Sequence, residues 1–172
     1  MKEIKLMIFD CDGVLSDGSI IYDNRRIESK AFSAKDGLGF RLLQTVGIIP
    51  AVITGRESQL LAQRCADVGI EHLYQAVANK LTVAEELLKK LGLSWSECAY
   101  MGDDWNDMSV IRKAALTAAP ADIFPDFAKE IDYICTRPGG KGAVREFIEV
   151  VLKKQGLYED AVKRFLTNLA AR

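Results

Sequence analysis

The stretch K-L-M-I-F-D-C-D-G, residues 5–13, decides how this chain folds. Lys5 to Phe9 is a short apolar run without helical period, long enough for a strand buried on both faces. It stops abruptly at Asp10-Cys11-Asp12-Gly13, so polar chemistry begins where a buried strand ends. Strands of this kind belong to parallel sheets covered by helices, and the rest of the chain supplies strand and helix in alternation.

Next, Ile20–Tyr22 and Ile27–Phe32 flank the polar turn Asp23-Asn24-Arg25-Arg26 and read as a β-hairpin, a small flap over residues 17–33. Leu38, Leu42, Leu43 and Val46 then follow helical spacing, with Gly47 where a C-terminal cap belongs. Ile48–Ile53 reads as the second buried strand, ending in Thr54-Gly55-Arg56, although Pro50 lacks the N–H that a central ladder uses. A helix over Ser58–Val68 closed by Gly69, a strand at His72–Tyr74, and a helix capped by Asn79 that runs to Leu91 before Gly92 continue the order. Ser94–Glu97 has capping-box spacing, and the strand Cys98–Met101 ends in Gly102-Asp103-Asp104. Leu116–Ala118 and Tyr133–Cys135 read as edge strands, and Ala143–Lys154 as a helix with Gly156 at its end.

The expected fold is therefore α/β: a three-layer, Rossmann-like parallel sheet with a β-hairpin flap after the first strand, in one domain over residues 1–172. Residues 157–172 read as an amphipathic tail helix carrying Val162, Phe165, Leu166 and Leu169. With the core complete by about residue 155, the tail is expected to pack on a neighbouring subunit.

At 172 residues and 49% hydrophobic content, the chain suits one sizeable core. Lys+Arg at 23 against Asp+Glu at 24 leaves a net charge of -1, so no global basic field exists to hold nucleic acid or an anionic membrane. No stretch is long and apolar enough to span a bilayer, and the expected location is the cytoplasm. Cys11, Cys65, Cys98 and Cys135 lack paired spacing, which fits reduced, buried thiols.

Parallel strands present their carboxyl ends on one side, so Asp10 and Asp12, Thr54-Gly55-Arg56, and Asp103, Asp104 and Asp107 should converge, with Lys80 opening an intervening helix. Crowded carboxylates repel unless a cation joins them, and oxygen ligands without nearby histidine favour a hard ion such as Mg²⁺. That ion draws phosphate. Phosphoryl transfer needs a nucleophile, charge neutralisation and a proton for the leaving alkoxide. Asp10 can form an acyl phosphate, Asp12 can donate and accept protons, and Thr54, the turn N–H groups and Lys80 can hold phosphate oxygens.

The motifs D-C-D-G-V (residues 10–14), T-G-R (54–56), Lys80 and G-D-D-W-N-D (102–107) resemble, in order and separation, the four motifs of the haloacid-dehalogenase-like (HAD) superfamily. The resemblance implies that Asp10 is the nucleophile, Asp12 the general acid/base, and Thr54 and Lys80 phosphate binders. It implies that Mg²⁺ is held by the Asp10 side chain, the Asp12 main-chain carbonyl and Asp103, with Asp104 and Asp107 outside the direct ligands or joined through water.

A narrower resemblance, through D-G-V-L-S-D-G, K-A-F-S-A-K-D-G-L-G-F-R, I-T-G-R-E-S-Q-L-L-A-Q-R, L-Y-Q-A-V-A-N-K and G-G-K-G-A-V-R-E, is to the minimal-cap family of 3-deoxy-D-manno-octulosonate 8-phosphate phosphatases. It implies a sugar-acid phosphate substrate, a homotetramer in which the hairpins form a barrel, a place in lipopolysaccharide biosynthesis, and substrate contacts from Ser33, Ala34, Lys35, Asp36, Gly37, Arg41, Gly55, Arg56 and Arg64. The chain departs from that pattern at Ala76 and Asn79, where Gly and Asp are expected. Three rival readings are a phosphatase for a nine-carbon sialic-acid-type 9-phosphate, a signalling receiver domain and a silent tetramerisation scaffold. In a receiver the middle strand ends in the phosphate-accepting Asp, but here it ends in Thr54.

Overall fold

The computed structural model describes residues 3–171. In chain order the elements are β1 (Leu6–Phe9), a hairpin of β2 (Ile21–Tyr22) and β3 (Glu28–Ser29), α1 (Ala34–Thr45), β4 (Ile49–Ile53), α2 (Gln59–Val68), β5 (His72–Tyr74) and α3 (Lys80–Leu91). They continue through a 3-10 turn (Trp95–Glu97), β6 (Cys98–Met101), a second 3-10 turn (Trp105–Asp107), α4 (Met108–Ile111), β7 (Leu116–Ala119), α5 (Pro125–Ala128), β8 (Tyr133–Ile134), α6 (Ala143–Lys154) and α7 (Tyr158–Ala170).

The large sheet runs β5-β4-β1-β6-β7-β8, with every pairing parallel. Strand alternation divides the core in two. Met7, Phe9, Val52, Ala99 and Met101 face α1, α2, α6 and α7, whereas Leu6, Ile8, Ala51, Ile53 and Tyr100 face α3, α4 and α5. Each fully buried Leu, Ile or Phe contributes about 1.5–3 kcal/mol, so the continuous apolar run of β1 holds both layers together.

Counted without the hairpin, the strand order is 3-2-1-4-5-6, the doubly wound order whose ligand crevice opens where the chain changes direction. The crevice lies between the carboxyl ends of β1 and β6. A receiver has the order 2-1-3-4-5, so the topology removes that rival.

Pro50 is accommodated by register. The N–H of Ile49 donates to Lys5 at 2.9 Å and that of Thr54 to Tyr74 at 3.0 Å, so odd-numbered N–H groups of β4 face β1 and even-numbered ones face β5. The β5 ladder begins opposite Ala51, and the donor that Pro50 lacks would have pointed beyond its end.

Four expectations are corrected. The Leu116–Ala119 strand is not an edge, since it pairs with β6 and β8 and is buried throughout. The hairpin ladder joins only Ile21 to Ser29 and Tyr22 to Glu28, because beyond Ser29 the chain turns Lys30 and Phe32 inward. Helix α1 begins before its apolar stripe, where Ser33 Oγ accepts from the Asp36 N–H at 3.3 Å. The tail is not left over from a finished core. Ala161 is fully buried, Val162 and Phe165 pack on the α1 and α6 layer, and Thr45 Oγ1 donates to the Ala161 carbonyl at 3.2 Å. Leu166 and Leu169 remain exposed.

Ala161→Arg places a charge in that packed layer and is expected to lower stability by about 3 kcal/mol, roughly 6–12 °C in Tm. Thermal unfolding followed by circular dichroism measures it, and an unchanged Tm would show that α7 does not dock on its own subunit.

Candidate active site

Asp10 follows directly on β1, and its N–H donates to Met101 at the end of β6 at 3.0 Å, so the nucleophile candidate is fixed against the strand that leads to Asp103. The following turn closes on the Cys11 carbonyl, which accepts from Val14, Leu15 and Ser16 N–H groups at 3.2, 2.8 and 3.0 Å. Two glycines let the carboxylates meet. Gly13, at φ 86°, stands where a Cβ would meet Asp103 Oδ2 at 1.9 Å, and a Cβ on Gly102 would meet Asp107 Oδ2 at 2.4 Å.

One oxygen from each of Asp10, Asp103 and Asp107 lies within 4.8 Å of the others. Lys80, first residue of α3, sends its ammonium between two of them, 2.8 Å from Asp10 Oδ2 and 2.6 Å from Asp107 Oδ1. Asp107, 0% exposed, also accepts from the Tyr100 hydroxyl at 2.5 Å and from the Asp103 N–H at 3.0 Å. It thus shares the corner with Asp10 and Asp103 and is held there by Lys80 and Tyr100. Asp104 accepts from the Trp105 N–H at 2.8 Å and starts the 3-10 turn that swings Asp107 back.

Three carboxylates against one ammonium leave two negative charges in a partly buried space. Burial, then the charges of Asp10 and Asp107, push Asp103 up to about 8. Burial and Asp107 raise Asp10 to about 6 despite Lys80. Burial works to lower the Lys80 pKa, but Asp10 and Asp107 outweigh it and the group remains a cation. An all-oxygen donor set carrying surplus negative charge fits a hard divalent ion such as Mg²⁺.

Thr54 is buried at the end of β4, with its N–H on Tyr74 and its carbonyl on the Val77 N–H at 3.1 Å. Gly55 is exposed beside it. The departures at 76 and 79 serve the loop that delivers Lys80. Ala76 adopts φ 53°, a conformation suited to glycine, and Asn79 caps α3 by accepting from the Leu81 and Thr82 N–H groups at 3.1 and 3.3 Å.

Asp12 faces the flap. Lys30 contacts its Oδ1, and Arg56 Nε lies 3.6 Å from Oδ2. Arg56 Nη2 donates to the Tyr22 hydroxyl at 2.8 Å and lies 3.4 Å from Glu28. Lys30, Glu28, Tyr22 and Tyr100 were missed by the sequence reading. The signal available for two of them was strand alternation, since Glu28, Lys30 and Phe32 share the inward face while Ser29 and Ala31 are exposed.

Other expected substrate contacts lie elsewhere. Asp36 is buried, and its Oδ1 accepts from the Arg145 N–H at 2.8 Å, tying α1 to the start of α6. Arg41 donates to the Asp67 carbonyl at 3.0 Å, at the end of α2 remote from the crevice. Arg64 donates to the Ser33 carbonyl at 2.9 Å and fills the space left by the missing side chain of Gly37. Ala34 and Lys35 are exposed on the first turn of α1.

No family model matches the chain. It is 44% identical over 160 residues to the 3-deoxy-D-manno-octulosonate 8-phosphate phosphatase KdsC of Escherichia coli (strain K12), spanning 93% of this chain and 85% of that protein. The crystal structure of 3-deoxy-D-manno-octulosonate 8-phosphate phosphatase from Moraxella catarrhalis, in complex with magnesium ion, phosphate ion and KDO, matches with TM-score 0.90 at 43% identity over 94% of this chain and 93% of that one. A HAD superfamily (subfamily III A) hydrolase structure from Legionella pneumophila matches with TM-score 0.92 at 38% identity over 95% and 90%.

Two predictions follow from the geometry. Ala76→Gly relieves a backbone conformation that costs about 1–2 kcal/mol, against about 0.5–1 kcal/mol of added unfolded-state entropy. Denaturant unfolding is therefore expected to show a gain of up to about 1 kcal/mol. The second concerns pH. Asp10 and Asp103 titrate above their unfolded value of 3.8, so between about pH 4 and 8 these two groups hold more protons in the metal-free native chain than in the unfolded one. The stability these groups contribute is full below pH 4 and is lost as pH rises to 8. In EDTA, Tm should fall from pH 5 to 8, with a shallower slope in Asp103→Asn. At pH 8, Mg²⁺ at about 100 Kd adds about 2.7 kcal/mol, roughly 5–11 °C. A metal-free Tm that climbs over this range would contradict the site.

Proposed function

The chain belongs to the 3-deoxy-D-manno-octulosonate 8-phosphate phosphatase family of the HAD superfamily, and on that premise we propose that it hydrolyses 3-deoxy-D-manno-octulosonate 8-phosphate to the free sugar acid and phosphate through an aspartyl-phosphate on Asp10. The observation that carries this reading is the meeting of Asp10, Asp103 and Asp107 around one corner, with the Lys80 ammonium between Asp10 and Asp107.

Asp10 attacks phosphorus while the bond from phosphorus to the sugar oxygen breaks, and Asp12 gives the leaving oxygen its proton. Asp12, now a carboxylate, takes a proton from the water that displaces phosphate from Asp10. Lys80 and the Cys11 N–H, 2.7 Å from Asp10 Oδ1, restrict the rotation of the nucleophile. Mg²⁺, held by the Asp10 carboxylate, the Asp12 carbonyl and Asp103, supplies positive charge to the phosphoryl oxygens. Thr54, Gly55 and Lys80 bind the phosphate, and Arg56 meets the sugar acid as a planar fork.

The flap has apolar Ile20, Ile21, Tyr22 and Ile27, all more than half exposed, which supports a homotetramer closed through hairpins. Ser33, Ala34, Lys35, Gly37 and Arg64 gather at the start of α1, where Arg64 donates to the Ser33 carbonyl at 2.9 Å, and in that assembly they meet the sugar-acid substrate. We place the enzyme in the cytoplasm and in lipopolysaccharide biosynthesis. Among the described residues no helix is long and apolar enough to cross a membrane.

The test is phosphate release from a panel of eight- and nine-carbon sugar-acid phosphates, with and without EDTA. Preference for the eight-carbon substrate, loss in EDTA, and a fall of at least about 10⁴-fold in Asp10→Asn are expected, since loss of a nucleophile that acts as a unit with its partners is of that order. Metal-saturated Asp10→Asn with full turnover would defeat the proposal.

A further inference from the structure

Lys30 has no part in the chemistry above, yet its side chain is only 1% exposed and, among the described residues, its ammonium reaches two carboxylates, Asp12 Oδ1 and, at 3.8 Å, Glu28 Oε1. Glu28 is itself fixed: its Oε2 accepts from Ser58 Oγ at 2.6 Å, and its Oε1 lies 3.4 Å from Arg56 Nη2. Ser58 caps α2, where its Oγ accepts from the Leu61 N–H at 3.3 Å. A continuous polar chain therefore runs from a rigid helix, through the flap, to the acid/base candidate. Asp12 and Glu28 against Lys30 and Arg56 sum to zero charge, so the group is closed on itself.

Such a group is a poor device for stability alone, because burying an ammonium costs several kcal/mol of desolvation that an ion pair recovers only with good geometry. What it does achieve is orientation. The Asp12 carboxylate is gripped from the flap side, while its backbone belongs to the loop after β1. The cation pairs with the ionised form of Asp12, the form that exists once the leaving sugar oxygen has taken its proton and before water is activated.

Resting on the phosphatase reading, we propose that Lys30 is a positioning residue of the flap that holds the Asp12 carboxylate for the second half-reaction, the attack of water on the phosphorylated Asp10. In that step the water oxygen bonds to phosphorus, the bond from phosphorus to the Asp10 oxygen breaks, and the water proton passes to Asp12. Lys30 exchanges no proton and touches neither substrate nor Asp10.

The experiment is rapid acid quench of the full-length enzyme with 3-deoxy-D-manno-octulosonate 8-phosphate, following free sugar acid, protein-bound phosphate and free phosphate. In Lys30→Met, the first turnover of sugar release is expected to stay within about threefold of wild type. Steady-state phosphate release should fall about 10–100-fold, part of the roughly 10²–10⁴-fold that a positioned acid/base supplies, because Asp12 itself remains, and protein-bound phosphate should accumulate several-fold. Half-saturation by Mg²⁺ should not move, and Lys30→Arg should restore most of the turnover. Glu28→Gln, which keeps the ammonium but loosens its anchor, should shift the same ratio in the same direction by less, and it serves if Lys30→Met does not fold. Equal loss of sugar release and phosphate release without bound phosphate would overturn the proposal, as would wild-type turnover in Lys30→Met. A wild-type enzyme that cleaves no phosphosugar would instead overturn the phosphatase reading, and this one with it.

Discussion

The ammonium of Lys80 sits 2.8 Å from Asp10 and 2.6 Å from Asp107, while Asp103 brings a third carboxylate to the same corner. One positive charge cannot balance three negative ones, and burial removes the water that would otherwise screen them. Burial first, and then the charge of the neighbouring carboxylates, raises Asp103 and Asp10 above the usual carboxylate range and makes the corner a receptor for a divalent cation. The fit of the corner to a hard divalent ion descends from that imbalance.

Holding mutually repelling groups together needs a rigid frame, and the doubly wound sheet supplies it. The crossover direction reverses between β1 and β6, so the loops that leave these neighbouring strands diverge and the crevice opens between them. The Asp10 N–H bond to Met101 fixes the two strand ends against each other, and Gly13 and Gly102 remove the side chains that would hold Asp103 and Asp107 apart. The apolar residues of β1, buried against both helix layers, resist the repulsion at its end.

The flap adds a second, separately balanced charge group around Asp12, through Lys30, Glu28 and Arg56. The two groups divide the work. The inner one gathers Asp10, Asp103 and Asp107 around Lys80, and the outer one fixes the Asp12 carboxylate on the side of the crevice that the hairpin covers. On the same hairpin Ile20, Ile21 and Ile27 are more than half exposed, and Tyr22, equally exposed, is held through its hydroxyl by Arg56.

The alternation of apolar runs and amphipathic stretches carried the layer order and the strand ends, because one buried strand and one helix face are local patterns of period 2 and 3.6. The four motifs likewise named Asp10, Asp12, Thr54, Lys80 and Asp103, since chemistry at strand ends is written in consecutive residues. What a string of residues does not carry is distance across the sheet. The bonds of Asp107 to Lys80 and Tyr100 depend on the Asp104 turn folding back over Gly102, and the tie of Asp36 to Arg145 spans 109 positions. The place of Leu116–Ala119 inside the sheet and the docking of Ala161 depend on which elements become neighbours. Lys30 reads as one more surface lysine until the flap folds down and buries it against Asp12. Tertiary structure decided these points because charge pairing and burial act through space, between residues that neither composition nor periodicity brings together.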